Sequence, residues 1–217
     1  MSNHGINTGE PKQFDLIKEL LNFKHALINK PDKVSAEDNA YKIGVKLLPK
    51  IIRNILLQKN ISNYWIFEGS VGRGTWSRTP WIAVYDERVT SRASDGFYIA
   101  FIVAENKESL FLMLMNSSSK HYNYTPYRLI ESQIEKISDF NLGKIPKAEL
   151  SCSGRGSGVD FEDSTLLWKK YSMDEFNLQN IEKDFLSISN YYFNLVNSLE
   201  KILPIDKPFK FNPFSSK

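Results

Sequence analysis

The spacing of apolar residues changes twice along this chain of 217 residues, and that change constrains the fold more than any other feature. Apolar residues recur at helical spacing over residues 13–30, about 35–60 and 178–202. Between the last two stretches, short apolar or aromatic runs predict strands at residues 64–67, 81–85, 97–104, 109–115 and 166–171. Helices at both ends and strands in the middle predict an α+β domain, with long N- and C-terminal helices packed on a mostly antiparallel central sheet.

Shorter signals describe the segments between these elements. Ser35, with Asp38 three residues later, resembles a capping box at the start of the second helix. The charged residues 105–108 predict a tight turn between two strands. Residues 127–137 are predicted to be helical, and residues 138–164 are predicted to be irregular.

The two ends of the chain are polar or rich in proline, which sets the predicted domain boundaries. Residues 1–12 are predicted to be a disordered N-terminus, and residues 13–203 a single domain. Residues 204–217 contain three prolines and no helical pattern, so they are predicted to be a linker that leads to a further domain of the full protein.

Cysteine and histidine are too scarce for a disulfide framework or a zinc site. The chain has one cysteine, Cys152, and three histidines that lie far apart in the sequence. We therefore expect neither a metal nor another cofactor in this domain, and the lone cysteine fits a reducing cytoplasm. No apolar run approaches the roughly 18 residues that a membrane span needs, so no membrane association is expected.

The arginines are concentrated in one window, although the net charge is only +3. Four of the seven arginines lie between residues 73 and 92, where there is no lysine. A guanidinium group can grip phosphate or guanine with two parallel hydrogen bonds. Gly72 and Gly74 flank Arg73, so the chain can turn tightly on both sides and push that side chain outward. This pattern favours nucleic-acid binding, with a solvated loop as the alternative.

Aromatic residues cluster around the same loops and allow two interpretations. Trp76, Trp81, Tyr85, Phe97 and Tyr98 all lie in or beside the arginine window. Proteins that bind a single base stack it on aromatic side chains, but aromatic strands also form ordinary cores. Composition alone does not separate the two.

Two other functions are consistent with the residues. Asp95, Glu105 and Lys107 have the outline of a metal-dependent nuclease motif, in which two carboxylates bind Mg²⁺ and the lysine stabilises charge. The same residues are also what a hairpin tip and a turn contain by default. A protein-interaction module with exposed arginines and aromatic residues is the second alternative.

An ordered set of short motifs resembles the N-terminal DNA-binding domain of McrB-type modification-dependent (type IV) restriction proteins. The set comprises Gly69, Gly72-Arg-Gly74, Trp76, Pro80-Trp81-Ile-Ala-Val, Asp95-Gly96-Phe-Tyr98, and Leu166-Leu-Trp-Lys-Lys-Tyr171. The resemblance covers about residues 35–200.

The resemblance implies a reader of DNA rather than an enzyme. Such a domain binds duplex DNA in a prokaryotic cytoplasm and flips a modified cytosine, 5-methyl- or 5-hydroxymethylcytosine, into a pocket. Cleavage is expected from a partner or fused part, either a nuclease or a GTP-driven AAA+ motor with its nuclease subunit. Together, the DNA-binding domain and its cleaving partner would then defend the cell against phage.

The resemblance also suggests roles for individual residues. The base pocket would be lined by Trp81, Tyr98 and Ile102, with Trp76 beside them. Arg73, between Gly72 and Gly74, would fill the gap that the flipped base leaves, at a position where a family member has tyrosine. The residues expected to hold the DNA backbone are Arg78, Arg88, Ser91, Arg92 and Arg155.

Overall fold

A computed structural model describes residues 15–61, 64–90, 92–93, 96–117, 134–135, 137 and 139–202, with side chains as far as residue 198. The helices, in chain order, are α1 (Leu16–Ile28), α2 (Asn39–Tyr41), a π-helical segment (Lys42–Leu47), α3 (Leu48–Gln58), α4 (Ser157–Ser164), α5 (Glu175–Leu178) and α6 (Ile181–Ile202). The strands are β1 (Trp65–Ser70), β2 (Trp81–Asp86), β3 (Phe97–Val103), β4 (Ser109–Asn116), β5 (Asn141–Leu142) and β6 (Thr165–Ser172).

The six strands form one antiparallel sheet in the order β1-β2-β3-β4-β6-β5. β3 and β4 are apolar and buried at nearly every position, because both faces of the sheet are covered. The predicted α+β class with a mostly antiparallel sheet is therefore confirmed, and each of the five predicted strands is present within a few residues of its expected bounds.

One face of the sheet packs against the helices and forms the larger core. α1, α3 and α6 each present one apolar stripe to it, and α1 begins at Asp15, whose carboxylate accepts a hydrogen bond from the Lys18 N–H at 3.1 Å. The buried aromatic residues of this layer include Phe23, Phe97, Phe101, Phe185 and Tyr192. None of the helices in the described part of the chain is long and apolar enough to cross a membrane.

The second helical stretch begins later than predicted. The Asp38 carboxylate does accept a hydrogen bond from the Ser35 N–H at 2.6 Å, but the helix starts only at Asn39. Its next turn is π-helical, and there its backbone meets β1 closely. A Cβ atom on Gly69 would lie 2.0 Å from the carbonyl oxygen of Gly44, so this contact requires glycine at position 69.

The opposite face of the sheet carries a second, smaller core. The segment that covers this core is more regular than predicted. Residues 138–164, predicted to be irregular, include β5 and the helix α4. α4 has little apolar periodicity, and tertiary hydrogen bonds hold it instead. Its buried Glu162 accepts hydrogen bonds from the backbone N–H groups of Leu150 at 2.8 Å and Ser151 at 3.1 Å. Sequence periodicity does not detect a helix held in this way.

The terminal helices also differ from the prediction. The helix predicted at 178–202 is the 22-residue α6, which begins three residues later, while α1 is only 13 residues long. The predicted helix at 127–137 lies outside the described residues apart from 134, 135 and 137, and residues 1–12 and 204–217 lie outside them altogether. The domain boundaries stay a prediction.

A buried ion pair joins the end of β2 to α6. Asp86 is fully buried, and the Arg88 guanidinium donates to its two carboxylate oxygens at 2.8 and 2.6 Å. Arg88 also donates to the Asn197 side chain at 3.0 Å, and the Tyr192 hydroxyl accepts from the Asp86 backbone N–H at 3.0 Å. The pair therefore fixes the strand end against the helix.

Replacing Arg88 with methionine should lower the free energy of unfolding by about 3 kcal/mol, because it leaves the Asp86 carboxylate buried without its cation. Urea denaturation measures this loss. Adding Asp86→Asn to the same protein should restore part of the stability. A loss below about 1 kcal/mol would contradict the structural role of this pair.

Candidate nucleic-acid interface

Three of the residues predicted to line the base pocket share the face of the sheet that lies away from α1, α3 and α6. We call this face the second face; it is centred on the paired Ala83 and Ala100. Trp81 pairs directly with Ile102, and Tyr98 lies on the same strand as Ile102, four residues away. Trp81 is partly exposed, whereas Ile102 and Tyr98 are buried. The structure therefore brings these three residues together on one surface.

The two alanines separate two groups of aromatic side chains. Trp81 lies on one side of the Ala83–Ala100 pair, and Tyr85 and Tyr98 lie on the other. Because a strand advances about 3.3 Å per residue, Trp81 and Tyr85 attach to the backbone about 13 Å apart. Ala83 and Ala100 are buried in a packed core, so the low floor that these small residues form between large aromatic ones is covered in this structure.

Tyr85 and Glu68 extend this floor to the edge of the sheet. The rings of Tyr85 and Tyr98 meet edge to face, with centroids 5.2 Å apart, and the Tyr85 hydroxyl donates to Glu68 Oε2 at 2.9 Å. Burial raises the pKa of both tyrosines well above the usual value, with the Glu68 charge as the next cause. Both phenols therefore stay protonated at any physiological pH.

Trp76 lies elsewhere. It packs against the core on the helical side of the sheet, and its indole N–H donates to the Pro31 carbonyl at 2.7 Å. The structure therefore does not bring Trp76 to Trp81, although the two are close in sequence. Trp76 instead anchors the glycine-rich loop to the segment that follows α1.

The glycines on either side of Arg73 form the tight turn that the sequence predicts. Gly72 and Gly74 have φ values of 111° and 72°, and a Cβ on Gly72 would lie 2.1 Å from the Thr75 carbonyl oxygen. The Val71 carbonyl and the Ser77 N–H close the loop with a bond of 2.7 Å. Arg73 is exposed at its tip, and its loop leaves the sheet at the end where β2 begins with Trp81.

A hydrogen-bond network joins the two glycine-rich loops at this same end of the sheet. The Arg78 guanidinium donates to Glu105 Oε1 at 2.8 Å and to Ser153 Oγ at 2.7 Å. Glu105 in turn accepts from the Ser153 N–H at 2.9 Å and from its hydroxyl at 2.8 Å, and these bonds lower the pKa of that carboxyl. The loops at residues 69–81 and 151–158 therefore form one surface.

Arg155 belongs to this surface, because the turn that carries it is tied down locally. The Ser151 hydroxyl donates to the Arg155 carbonyl at 2.6 Å, and the Arg155 N–H donates back to it at 3.1 Å. The Arg155 residue itself is exposed, as is Arg78. Arg73, Arg78 and Arg155 thus present three guanidinium groups around the Trp81 end of the sheet.

The other predicted backbone contacts lie at the opposite end, in the loop after β2. Arg88 is committed to the buried ion pair with Asp86. Arg92 is exposed, and its carbonyl accepts from the Thr90 hydroxyl at 3.0 Å. Ser91 lies outside the described residues. The structure therefore divides the arginine window between two ends of the sheet.

The nuclease alternative loses support at two of its three residues. Glu105 is engaged by Arg78 and Ser153, and the Lys107 ammonium donates to the backbone carbonyls of Arg78 and Ala104. Both residues lie in the predicted turn between β3 and β4. Asp95 is outside the described residues, and within those residues no group of three His, Cys, Asp or Glu could hold a metal ion.

Several residues of this surface are not predictable from sequence patterns. Glu68, Ala83 and Ala100 reach the second face through strand pairing, which only the register reveals. Residues alternate between the two faces along β1, so Glu68 lies opposite to Trp65 and Phe67, which pack on the helical side. This alternation is the one signal that could have placed the carboxylate on the second face. The sequence suggests only a nuclease role for Lys107, because its bond to the Arg78 carbonyl depends on the fold of both turns.

Lys107 makes the stability of this surface depend on pH. Burial, and then the charge of Lys30, lower the pKa of its ammonium from 10.5 to about 8. Since the folded state binds this proton more weakly than the unfolded state, the free energy of unfolding rises as pH increases from about 8 towards 10.5. Between pH 7.5 and 9.5 the contribution is about 1–2 kcal/mol.

The test compares urea denaturation of the parent protein and the Lys107→Met variant at these two pH values. The rise with pH should be about 1–2 kcal/mol smaller in the variant. Equal rises in both proteins would show that Lys107 is not the responsible group. Lys183→Met, on the exposed side of α6, is the matched control and should leave the rise unchanged.

Comparison with known proteins adds one match. The family described as "MrcB-like, N-terminal domain" matches residues 28–197, which is 170 of the 217 residues and includes the whole sheet. No curated protein matches the chain.

Proposed function

We propose that this chain, which belongs to the MrcB-like N-terminal domain family, reads a modified cytosine that is flipped from duplex DNA onto the second face of its sheet. It is a DNA-binding domain of a restriction system. The cytosine carries 5-methyl or 5-hydroxymethyl at C5, and the domain itself carries out no chemistry. Cleavage comes from a nuclease or an AAA+ GTPase motor that works with it, in the cytoplasm of a prokaryote.

The observation that carries the proposal is the alanine floor between Trp81 and the Tyr85–Tyr98 pair. Because Ala83 and Ala100 are buried in this structure, the residues packed over them would have to move before a base could lie on this floor and contact aromatic surface on both sides. Trp81 is the partly exposed member of the set, so it marks the entrance. In this proposal, Ile102, which is buried and pairs with Trp81, would contact the methyl group at C5.

The energetics favour enclosure over surface contact. Flipping a base costs a few kcal/mol in lost stacking and pairing. Stacking on an aromatic side chain returns about 1–3 kcal/mol per base, and a methyl group enclosed in an apolar pocket adds about 1–3 kcal/mol. The affinity for DNA therefore depends on the modification only if one pocket supplies both the aromatic stacking and the enclosure of the methyl group.

Arg73 would fill the gap that the base leaves. It is exposed at the tip of the loop that joins Ser70 to Trp81, and those two residues pair across β1 and β2. The tip therefore leaves the sheet beside the proposed entrance. A planar guanidinium can stack in the duplex and hydrogen-bond the orphaned guanine, which suits an arginine for this position.

Arg78 and Arg155 would hold phosphates on either side of the entrance. Both are exposed and lie on the surface formed by the two joined loops. Arg92, in the loop after β2, is a further candidate together with Ser91, whereas Arg88 already has a buried carboxylate as its partner. Phosphate contacts fix the register of the protein on DNA without reading sequence.

The proposed function predicts that the affinity of the protein for duplex DNA depends on the modification of the cytosine. A gel-shift panel of one duplex carrying cytosine, 5-methylcytosine or 5-hydroxymethylcytosine at a single site, at moderate salt, measures this. Because the methyl group is worth about 1–3 kcal/mol, the modified duplexes should bind about 5- to 150-fold more tightly. Equal affinity for all three duplexes would overturn the proposal.

Trp81→Ala should abolish most of this discrimination, since the variant loses the wall at the entrance while keeping Arg73, Arg78 and Arg155. The ratio of affinities for 5-methylcytosine and cytosine duplexes should fall to within about twofold of one, at a cost of about 1–3 kcal/mol in binding the modified duplex. Phe176→Ala, which removes an exposed aromatic side chain on α5, is the matched control and should retain the ratio. A Trp81→Ala protein that still discriminates would remove Trp81 from the pocket.

A further inference from the structure

A pocket that senses only the methyl group has a chemical problem, because thymine carries the same methyl group at C5. Thymine is a normal base, so it outnumbers 5-methylcytosine in almost any DNA. The two bases differ at position 4, where cytosine has an amino group that donates hydrogen bonds and thymine has a carbonyl that accepts them. A reader of 5-methylcytosine therefore needs a hydrogen-bond acceptor at that position.

Glu68 places a carboxylate at the edge of the alanine floor. It pairs with Ala83 across β1 and β2, and Ala83 pairs with Ala100, so the three residues form one rung of the sheet. Directly opposed residues lie on the same face, and Glu68 therefore shares the second face with Trp81 and Tyr98. Its side chain is exposed, so a ligand can reach it.

Tyr85 fixes the orientation of this carboxylate. The Tyr85 hydroxyl donates to Glu68 Oε2 at 2.9 Å, and the Tyr85 ring is buried against Tyr98. One oxygen of Glu68 is thus held by the hydroxyl group of a buried tyrosine. Oε1 has no hydrogen-bond donor among the residues that the structure describes, so it can accept a bond from a ligand.

The charge of Glu68 also calls for a partner. Among the described residues it makes no ion pair, although an unneutralised carboxylate on a DNA-binding surface repels the phosphates nearby. A hydrogen bond from the amino group of cytosine turns this charge into a favourable contact, and Asp or Glu accepting from cytosine N4 is a known mode of base recognition.

We propose that Glu68 distinguishes 5-methylcytosine from thymine by accepting a hydrogen bond from the N4 amino group of the flipped base. Thymine would turn its O4 carbonyl towards the carboxylate, and two acceptors facing each other repel. This inference rests on the proposed function, since it applies to the same pocket, and it names the residue that gives the pocket its specificity.

The test measures the affinities of the parent protein and the Glu68→Gln variant for duplexes that carry 5-methylcytosine opposite guanine or thymine opposite guanine. The mismatched thymine is easier to flip than a paired base, so its rejection is a stringent measure of the pocket. A glutamine amide can rotate to donate to O4. The variant should therefore bind the thymine duplex more tightly and lower the ratio of the two affinities by about tenfold, as expected for a base-edge contact.

Two further variants support the comparison. Tyr85→Phe keeps the ring but releases the carboxylate, and it should lower the ratio by a smaller factor than Glu68→Gln. Glu182→Gln, on the exposed side of α6, is the matched control and should leave the ratio unchanged. Thermal denaturation should give similar melting temperatures for Glu68→Gln and the parent protein, because Glu68 is exposed.

The outcomes separate the two proposals. If the parent protein prefers 5-methylcytosine to cytosine, but Glu68→Gln keeps the parent ratio between 5-methylcytosine and thymine, the role of Glu68 is overturned and the proposed function stands. If the parent protein binds 5-methylcytosine and cytosine equally, the proposed function itself fails. A parent protein that binds the thymine duplex as tightly as the 5-methylcytosine duplex also overturns the role of Glu68.

Discussion

The pairing of β2 with β3 is the constraint on which the rest of this structure depends. Its register sets Trp81 against Ile102 and Ala83 against Ala100, and a slip of β2 by one residue would send Trp81 and Ala83 to the helical side. That register is held from the other face, where Ile82, Val84, Ile99 and Phe101 pack into the core with the helices. The apolar interior thus determines which residues are available on the second face.

The loops around the second face are held by polar contacts instead. Glu105 receives hydrogen bonds from Arg78 and Ser153, and so connects the turn after β3 with both glycine-rich loops. Loops supply the residues that meet a ligand, while the sheet fixes where the loops begin. In this chain the carboxylate that resembled a nuclease ligand serves to position exposed arginines around Trp81.

The sequence predicted the helices and strands better than it predicted which of their residues come into contact. Strands such as Phe97–Val103 are long apolar runs with clear turn residues, so their existence was predictable, but β3 is buried on both faces and its hydropathy does not tell which side chains face which way. Trp76 and Trp81 were predicted to lie together because they are close in sequence, although Trp76 packs on the helical side of the sheet and Trp81 on the second face. Strand pairing sets Glu68 opposite Ala83, and tertiary hydrogen bonds hold the helix α4; periodicity along the sequence reveals neither of these contacts.

Base flipping is the central claim, and a fluorescent adenine analogue placed next to the modified cytosine reports it directly, because such a base brightens when its neighbour leaves the stack. Titrating the protein into this duplex should raise the fluorescence with the same midpoint as binding, and the rise should be absent or much smaller when the cytosine is unmodified. Full binding of the modified duplex with no change in fluorescence would mean that the base is read within the stack, and would contradict the account.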